Sequence, residues 1–161
     1  MKQIKLLAMD VDGTLTDGRI YIGQNGEVMK AFDVRDGYGI ANILPRLGII
    51  PVIITGRKSE IVEQRARELQ ITELYQGVTD KLEQLKSVAG KYGIGSESIA
   101  YMGDDLNDLE CLLYCGLSAC PGDAMVQVKQ VSDYISGFHG GRGAVRDFID
   151  KLADTREMEL L

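Results

Sequence analysis

Two aspartates, Asp10 and Asp12, close the apolar run Ile4-Lys5-Leu6-Leu7-Ala8-Met9, which reads as a buried strand. Side chains two apart project towards one face of a strand end. Like charges that close raise each other's pKa unless a cation lies between them. A hard divalent ion such as Mg²⁺, which takes oxygen ligands, relieves that repulsion. Gly13 then lets the backbone turn sharply. Alone, Asp-x-Asp-Gly also fits a plain turn with Asp10 as a helix cap, so the rest of the chain has to decide.

Three further positions break local rules in a similar way. Thr55-Gly56-Arg57 follows the strand-like run Ile49 to Ile54, and a hydroxyl and free amides facing a helix start suit a phosphoryl oxygen. Lys81 opens an amphipathic helix with Leu82, Leu85 and Val88 inward, although the helix dipole disfavours a cation there. Local conflicts of this kind mark functional positions. Gly103-Asp104-Asp105-Leu106-Asn107-Asp108 follows the apolar run Ile99 to Met102 and crowds acidic groups at a strand end. Its spacing fails as a calcium loop, and capping the next helix, from about Asp108 to Leu113, uses one of these residues but not all.

The elements that must position these groups alternate strand with helix. That order implies an α/β fold, a doubly wound parallel sheet with its ligands at the strand carboxyl ends. Asp10, Asp12, Thr55, Lys81 and Asp104 all fall at or just beyond such ends, which predicts one active-site rim. Asn25-Gly26 between β-prone flanks predicts a protruding hairpin. Ile20, Tyr21 and Ile22 are apolar without alternation, which favours burial against another subunit over folding back on the chain's own core. Ile40, Ile43, Leu44 and Leu47 have helical spacing, with a kink or stop near Pro45. Pro51 makes the first half of its strand an edge or loop. Ser59 is placed to cap the helix whose inner face is Ile61, Val62, Ala66 and Leu69. Short strands are expected at 74–76, 116–119 and 133–135, a last helix carries Val145, Phe148, Ile149 and Leu152, and a mobile tail begins at Asp154.

Composition sets the outer limits. A chain of 161 residues, 45% hydrophobic, forms one domain over 1–161 with a proper core. Net charge −6 argues against nucleic acid and requires local cations to draw in an anionic substrate. No apolar run approaches the roughly 20 residues that span a bilayer, and no leader opens the chain, so a cytoplasmic location is expected. Cys111, Cys115 and Cys120, with His139 as the one histidine, fit reduced, buried thiols better than a zinc site.

Asp-Val-Asp-Gly-Thr-Leu-Thr (10–16), together with Thr55, Lys81 and the 103–108 run, resembles the motifs of the haloacid dehalogenase superfamily. The resemblance implies in-line phosphoryl transfer through an aspartyl-phosphate. Asp10 matches the nucleophile and Asp12 the acid/base. Mg²⁺ is then held by Asp10, the Asp12 carbonyl and Asp104, with Asp105 and Asp108 in support. Thr55 and Lys81 hold the phosphoryl oxygens, with Gly56 and Arg57 beside them at the substrate. An aspartate at position 12 favours hydrolysis of a phosphate monoester, because dehalogenase members lack one there.

Neither gap between motifs has room for a cap domain, so the bare core either acts on something large or borrows a lid from another subunit. Asp-Gly-Arg-Ile-Tyr (17–21), Phe-Asp-Val-Arg-Asp-Gly (32–37), Thr-Gly-Arg-Lys-Ser (55–59), Tyr-Gln-Gly (75–77) and Gly-Gly-Arg-Gly-Ala-Val-Arg (140–146) resemble the 3-deoxy-D-manno-octulosonate 8-phosphate phosphatases, over about Ile4 to Leu152. That family implies a small sugar phosphate as substrate and a homotetramer, with the hairpin and a carboxyl-terminal segment at subunit contacts. The glycine-rich run 140–146 is where the segment reaching a neighbour's site falls. Arg57 suits a sugar-acid carboxylate. Relatives acting on nine-carbon sugar acids tend to carry another residue at that place, which leans the chain towards the eight-carbon substrate. Two other classes remain in view. A phospho-accepting receiver domain has similar groups, but its acidic pair is adjacent and its phosphorylated aspartate comes later in the chain. A catalytically silent scaffold fits poorly, since no motif residue is missing.

Overall fold

The computed structural model describes residues 3–159. In chain order the elements are β1 (Leu6–Met9), the hairpin strands β2 (Tyr21–Gly23) and β3 (Gly26–Met29), α1 (Val34–Tyr38), α2 (Leu44–Arg46) and β4 (Ile50–Ile54). There follow α3 (Glu60–Glu68), β5 (Glu73–Tyr75), α4 (Lys81–Lys91), β6 (Ile99–Met102), α5 (Leu109–Tyr114), β7 (Leu117–Cys120), α6 (Val126–Val131), β8 (Tyr134–Ile135) and α7 (Ala144–Glu159).

Six strands form one sheet in the order β5-β4-β1-β6-β7-β8, every neighbouring pair parallel. All four residues of β1 are buried, because both faces of a parallel sheet are covered by helices. Leu7 and Met9 pack with Val62 and Ala66 of α3 and Phe148 and Ile149 of α7. Leu6 and Ala8 face Leu85 and Val88 of α4, Cys111 and Leu112 of α5 and Val128 of α6. This is the doubly wound α/β sheet that the alternating pattern predicts. No cap domain interrupts it: a hairpin and a short helical run lie between β1 and β4, and α3 and β5 lie between β4 and α4. No helix among the described residues is long and apolar enough to cross a membrane.

Several local expectations shift. The helical run starts at Val34, before the apolar spacing begins, because the Asp33 carboxylate accepts from the Arg35 N–H at 2.7 Å and caps it. The stop expected near Pro45 is met: α2 ends at Arg46, one residue past it, and Pro45 itself sits in the first turn of α2, where a missing N–H costs little. Pro51 pairs in register with Leu7, while pairing with β5 begins only at Val52, so the first half of β4 is an edge on one side alone. α7 runs past Asp154 to Glu159, and the last two residues of the expected mobile tail lie outside those described. Ile22 and Val28 of the hairpin are strongly exposed.

The outer strand β5 is tied down by a buried carboxylate. Glu73 accepts from the hydroxyls of Tyr75 and Tyr92 and from the Lys91 ammonium. Burial pushes its carboxyl up, but those three donors outweigh it and hold it down at about 2. A carboxyl depressed from 4.5 contributes stability that is complete above its unfolded pKa and is lost as pH falls through the folded value. Glu73→Gln is therefore expected to cost about 1–3 kcal/mol at neutral pH. Urea unfolding should show that gap closing as pH falls from 4.5 towards 2; a gap independent of pH contradicts the assignment.

Candidate active site

The site begins at the carboxyl ends of three adjacent strands. Met9 pairs with Ile53 of β4 and with Met102 of β6, and the Asp10 N–H donates to the Met102 carbonyl at 3.0 Å. Asp10, Thr55 and Asp104 therefore emerge side by side. Thr55 is buried and anchored through its backbone, its N–H donating to Tyr75 and its carbonyl accepting from Val78. Gly56 follows at the start of the turn.

Lys81 bridges the group from the fourth element. Its carbon stem is buried, and its ammonium donates to Asp10 Oδ1 at 2.9 Å and to Asp108 Oδ1 at 2.8 Å. Asp80 caps α4 by accepting from the Glu83 N–H, which satisfies the helix start without an acid at the first position. That frees Lys81 to be spent on the site, and it resolves the conflict with the helix dipole. Burial pulls its ammonium down, but Asp10 and Asp108 outweigh it and hold it above its usual value.

Asp10, Asp104 and Asp108 each offer an oxygen within 4.8 Å of the others. Three carboxylates face one ammonium, so the cluster lacks positive charge. Burial, and then the Asp108 charge, push the Asp10 carboxyl up to about 6. Burial, then Asp10 and Asp108, push Asp104 up to about 8. Without a cation this crowding favours a retained proton over three full charges. A hard divalent cation fits this donor set.

The three acids are not equivalent. Asp108 is fully buried, and its oxygens accept from Lys81, from the Tyr101 hydroxyl at 2.7 Å, and from the N–H groups of Asp104 and Asp105 at 3.0 and 3.3 Å. With both oxygens engaged twice, it orients the loop. Asp105 is exposed and caps the short turn at Leu106–Asp108 by accepting from the Leu106 N–H. Thr14 donates to Asp104 Oδ1 at 3.1 Å. Gly13, at φ +94°, is obligatory: a Cβ there would stand 1.9 Å from Asp104 Oδ2.

Asp12 and Arg57 belong to a second group. Asp12 Oδ1 accepts from Lys30, whose side chain is fully buried, and Arg57 Nε lies 4.0 Å from Asp12 Oδ2. Lys30 also pairs with Glu27 at 3.1 Å, and Glu27 accepts from the Ser59 hydroxyl. Burial pushes the Glu27 carboxyl up, but the hydrogen bonds from Ser59 and Lys30 outweigh it and hold it below its usual value. Ser59 is thus no helix cap through its side chain, because its hydroxyl is committed to the hairpin. Glu27 and Lys30 escaped the sequence reading, which took the hairpin only as a contact surface. Their one signal was a pair of charges three apart in an otherwise apolar strand.

The glycine-rich run also has a role within the chain. Gly141 N–H donates to the Thr14 carbonyl at 3.0 Å, and a Cβ on Gly140 would stand 1.9 Å from the Gly13 carbonyl oxygen. Gly140–Gly141 therefore clamp the first loop of their own chain.

The haloacid dehalogenase-like hydrolase family matches residues 67–149. The 3-deoxy-D-manno-octulosonate 8-phosphate phosphatase of Escherichia coli K12 is 48% identical over 151 residues, covering 94% of this chain and 80% of that protein. The crystal structure of the phosphatase of that name from Yersinia pestis superimposes with a TM-score of 0.92 at 43% identity, over 96% of this chain and 83% of the other. The enzyme from Moraxella catarrhalis, solved with magnesium ion, phosphate ion and KDO, superimposes with a TM-score of 0.90 at 41% identity, over 98% and 94%. Identity at this level across nearly the whole length, on the same sheet, places the chain in the haloacid dehalogenase-like hydrolases and, among them, in the 3-deoxy-D-manno-octulosonate 8-phosphate phosphatase family.

Proposed function

We propose that the protein is a Mg²⁺-dependent phosphatase that hydrolyses 3-deoxy-D-manno-octulosonate 8-phosphate. One observation carries the reading: a buried carboxylate, Asp10, ends a central strand between the Lys81 ammonium and the Asp104 carboxylate. That setting holds a nucleophile in line with a phosphoryl group and supplies charge where the transition state needs it.

The phosphoryl group enters over Asp10, its oxygens held by the Thr55 hydroxyl, the Gly56 amide and Lys81. The Asp10 carboxylate attacks phosphorus, the bond to the sugar oxygen breaks, and Asp12 gives that oxygen its proton. Asp12, now ionised, takes a proton from water. The hydroxide attacks phosphorus, releases phosphate and returns Asp10 to its carboxylate. Mg²⁺, held by Asp10, Asp104 and the Asp12 carbonyl, supplies positive charge against the phosphoryl oxygens and screens the carboxylates from one another. Asp108 keeps Lys81 and the 104–105 backbone in place. Arg57, half-exposed at the mouth, pairs with the substrate carboxylate. The homotetramer implied by the family, with exposed Ile22 and Val28 of the hairpin at its contacts, fits an open site without a cap, and such an enzyme works in the cytoplasm.

A phosphate-release screen with and without Mg²⁺ tests the reading, using eight- and nine-carbon 2-keto-3-deoxy acid phosphates beside 4-nitrophenyl phosphate. The eight-carbon substrate is expected to give the highest kcat/KM, and preference for the nine-carbon acid contradicts the assignment. Arg57→Ala should raise KM for the sugar acid about 10–100-fold, as expected when a charge-assisted pair is lost. The KM for the nitrophenyl ester should change much less, and equal effects on both substrates would remove the carboxylate role.

A further inference from the structure

The hairpin brings a buried cation to the acid/base. Lys30 lies just past β3, its side chain has no exposure, and its ammonium reaches Asp12 Oδ1 on one side and Glu27 Oε2 on the other. Glu27 is in turn held by the Ser59 hydroxyl, and the Ser59 N–H donates to Gln76 Oε1 at 2.9 Å. A continuous chain of contacts thus runs from Asp12 through the hairpin to the start of α3 and the loop after β5. Burying an ammonium is costly unless it is paired, and a lysine needed only for hairpin stability would serve as well in solvent. Asp12 itself stands on a loop, with its backbone outside helical geometry, so nothing in its own element fixes its carboxyl.

We infer that Lys30 is a positioning residue, which holds the Asp12 carboxyl where it protonates the departing oxygen. Glu27 and Ser59 steady Lys30 in that task. The hairpin is then part of the proton-transfer apparatus as well as a surface. This deepens the proposed hydrolysis and rests on it.

Proton donation matters most when the leaving group is a strongly basic alkoxide and least when it is 4-nitrophenolate. The test is kcat/KM of the wild type and of Lys30→Met, with saturating Mg²⁺, over alkyl and aryl phosphates spanning leaving-group pKa. Since kcat/KM covers the steps up to sugar or phenol release, hydrolysis of the phosphoenzyme does not mask the effect. Lys30→Met is expected to lose about 100-fold on alkyl phosphates, the scale of general-acid catalysis, and less than about threefold on 4-nitrophenyl phosphate. The dependence on leaving-group pKa becomes steeper, and Lys30→Arg, which keeps a cation, returns it towards the wild-type slope. The nitrophenyl activity of each preparation reports its folded fraction, so misfolding appears as a uniform loss. A parallel drop across the series with an unchanged slope overturns the inference, as does a steep slope that arginine leaves unrepaired. The series contains no 2-keto sugar acid, so failure of the substrate assignment shows in the screen above and not here.

Discussion

Asp10→Asn is expected to lower turnover by about four orders of magnitude or more, the scale seen when a nucleophile is removed, while the protein stays folded. The amide keeps the shape of the side chain and can still accept from Lys81. The ion-free stability should hold or rise. A carboxyl pushed up to about 6 by burial and Asp108 destabilises the native state whenever it is ionised, so above that pH a neutral isostere removes a cost. Thermal unfolding without Mg²⁺ at pH 8 should give an Asp10→Asn melting temperature no lower than that of the wild type. Retained turnover moves the nucleophile elsewhere, and a large drop in melting temperature makes Asp10 a structural residue.

The second large effect concerns the ion. Asp104→Asn should weaken Mg²⁺ binding beyond the 10–100-fold typical of losing an outer partner, because it removes a direct donor and part of the charge deficit. The pH dependence follows from the same crowding. In the ion-free protein burial and mutual repulsion push Asp104 up to about 8 and Asp10 up to about 6, so binding at neutral pH is expected to expel protons. Affinity should fall as pH drops from about 8 to about 6. Calorimetry in buffers of different ionisation heat should register proton release at pH 7. In Asp104→Asn both the affinity and its pH slope diminish, whereas unchanged Mg²⁺ binding excludes Asp104 as a ligand.

The parts legible in the sequence are those where a residue breaks the rule of its own element. Lys81 at a helix start and aspartates after apolar strands pointed to the rim that the sheet assembles, because strand order and right-handed crossovers leave few alternatives. Gly13 was visible as a turn, but its closer constraint, the Asp104 carboxylate pressed against its Cα, exists only once β1 and β6 pair. Lys30 and Glu27 were not legible, since a charge pair on a hairpin reads as a solvated edge until the hairpin folds over the loop that carries Asp12. The resemblance places Asp108 in support of the ion, and only the convergence of Lys81, Tyr101 and two backbone amides on it gives that support a geometry. The start of α1 was missed because its capping aspartate precedes a polar turn rather than an apolar stripe.

The most direct trial of the account is capture of the phosphorylated protein. A single turnover with Mg²⁺ and 3-deoxy-D-manno-octulosonate 8-phosphate, quenched in acid and reduced with borohydride, converts an aspartyl-phosphate to homoserine. Mass spectrometry should find that change at Asp10 and at no other aspartate. Homoserine at a different position, or none while turnover proceeds unimpaired, contradicts it.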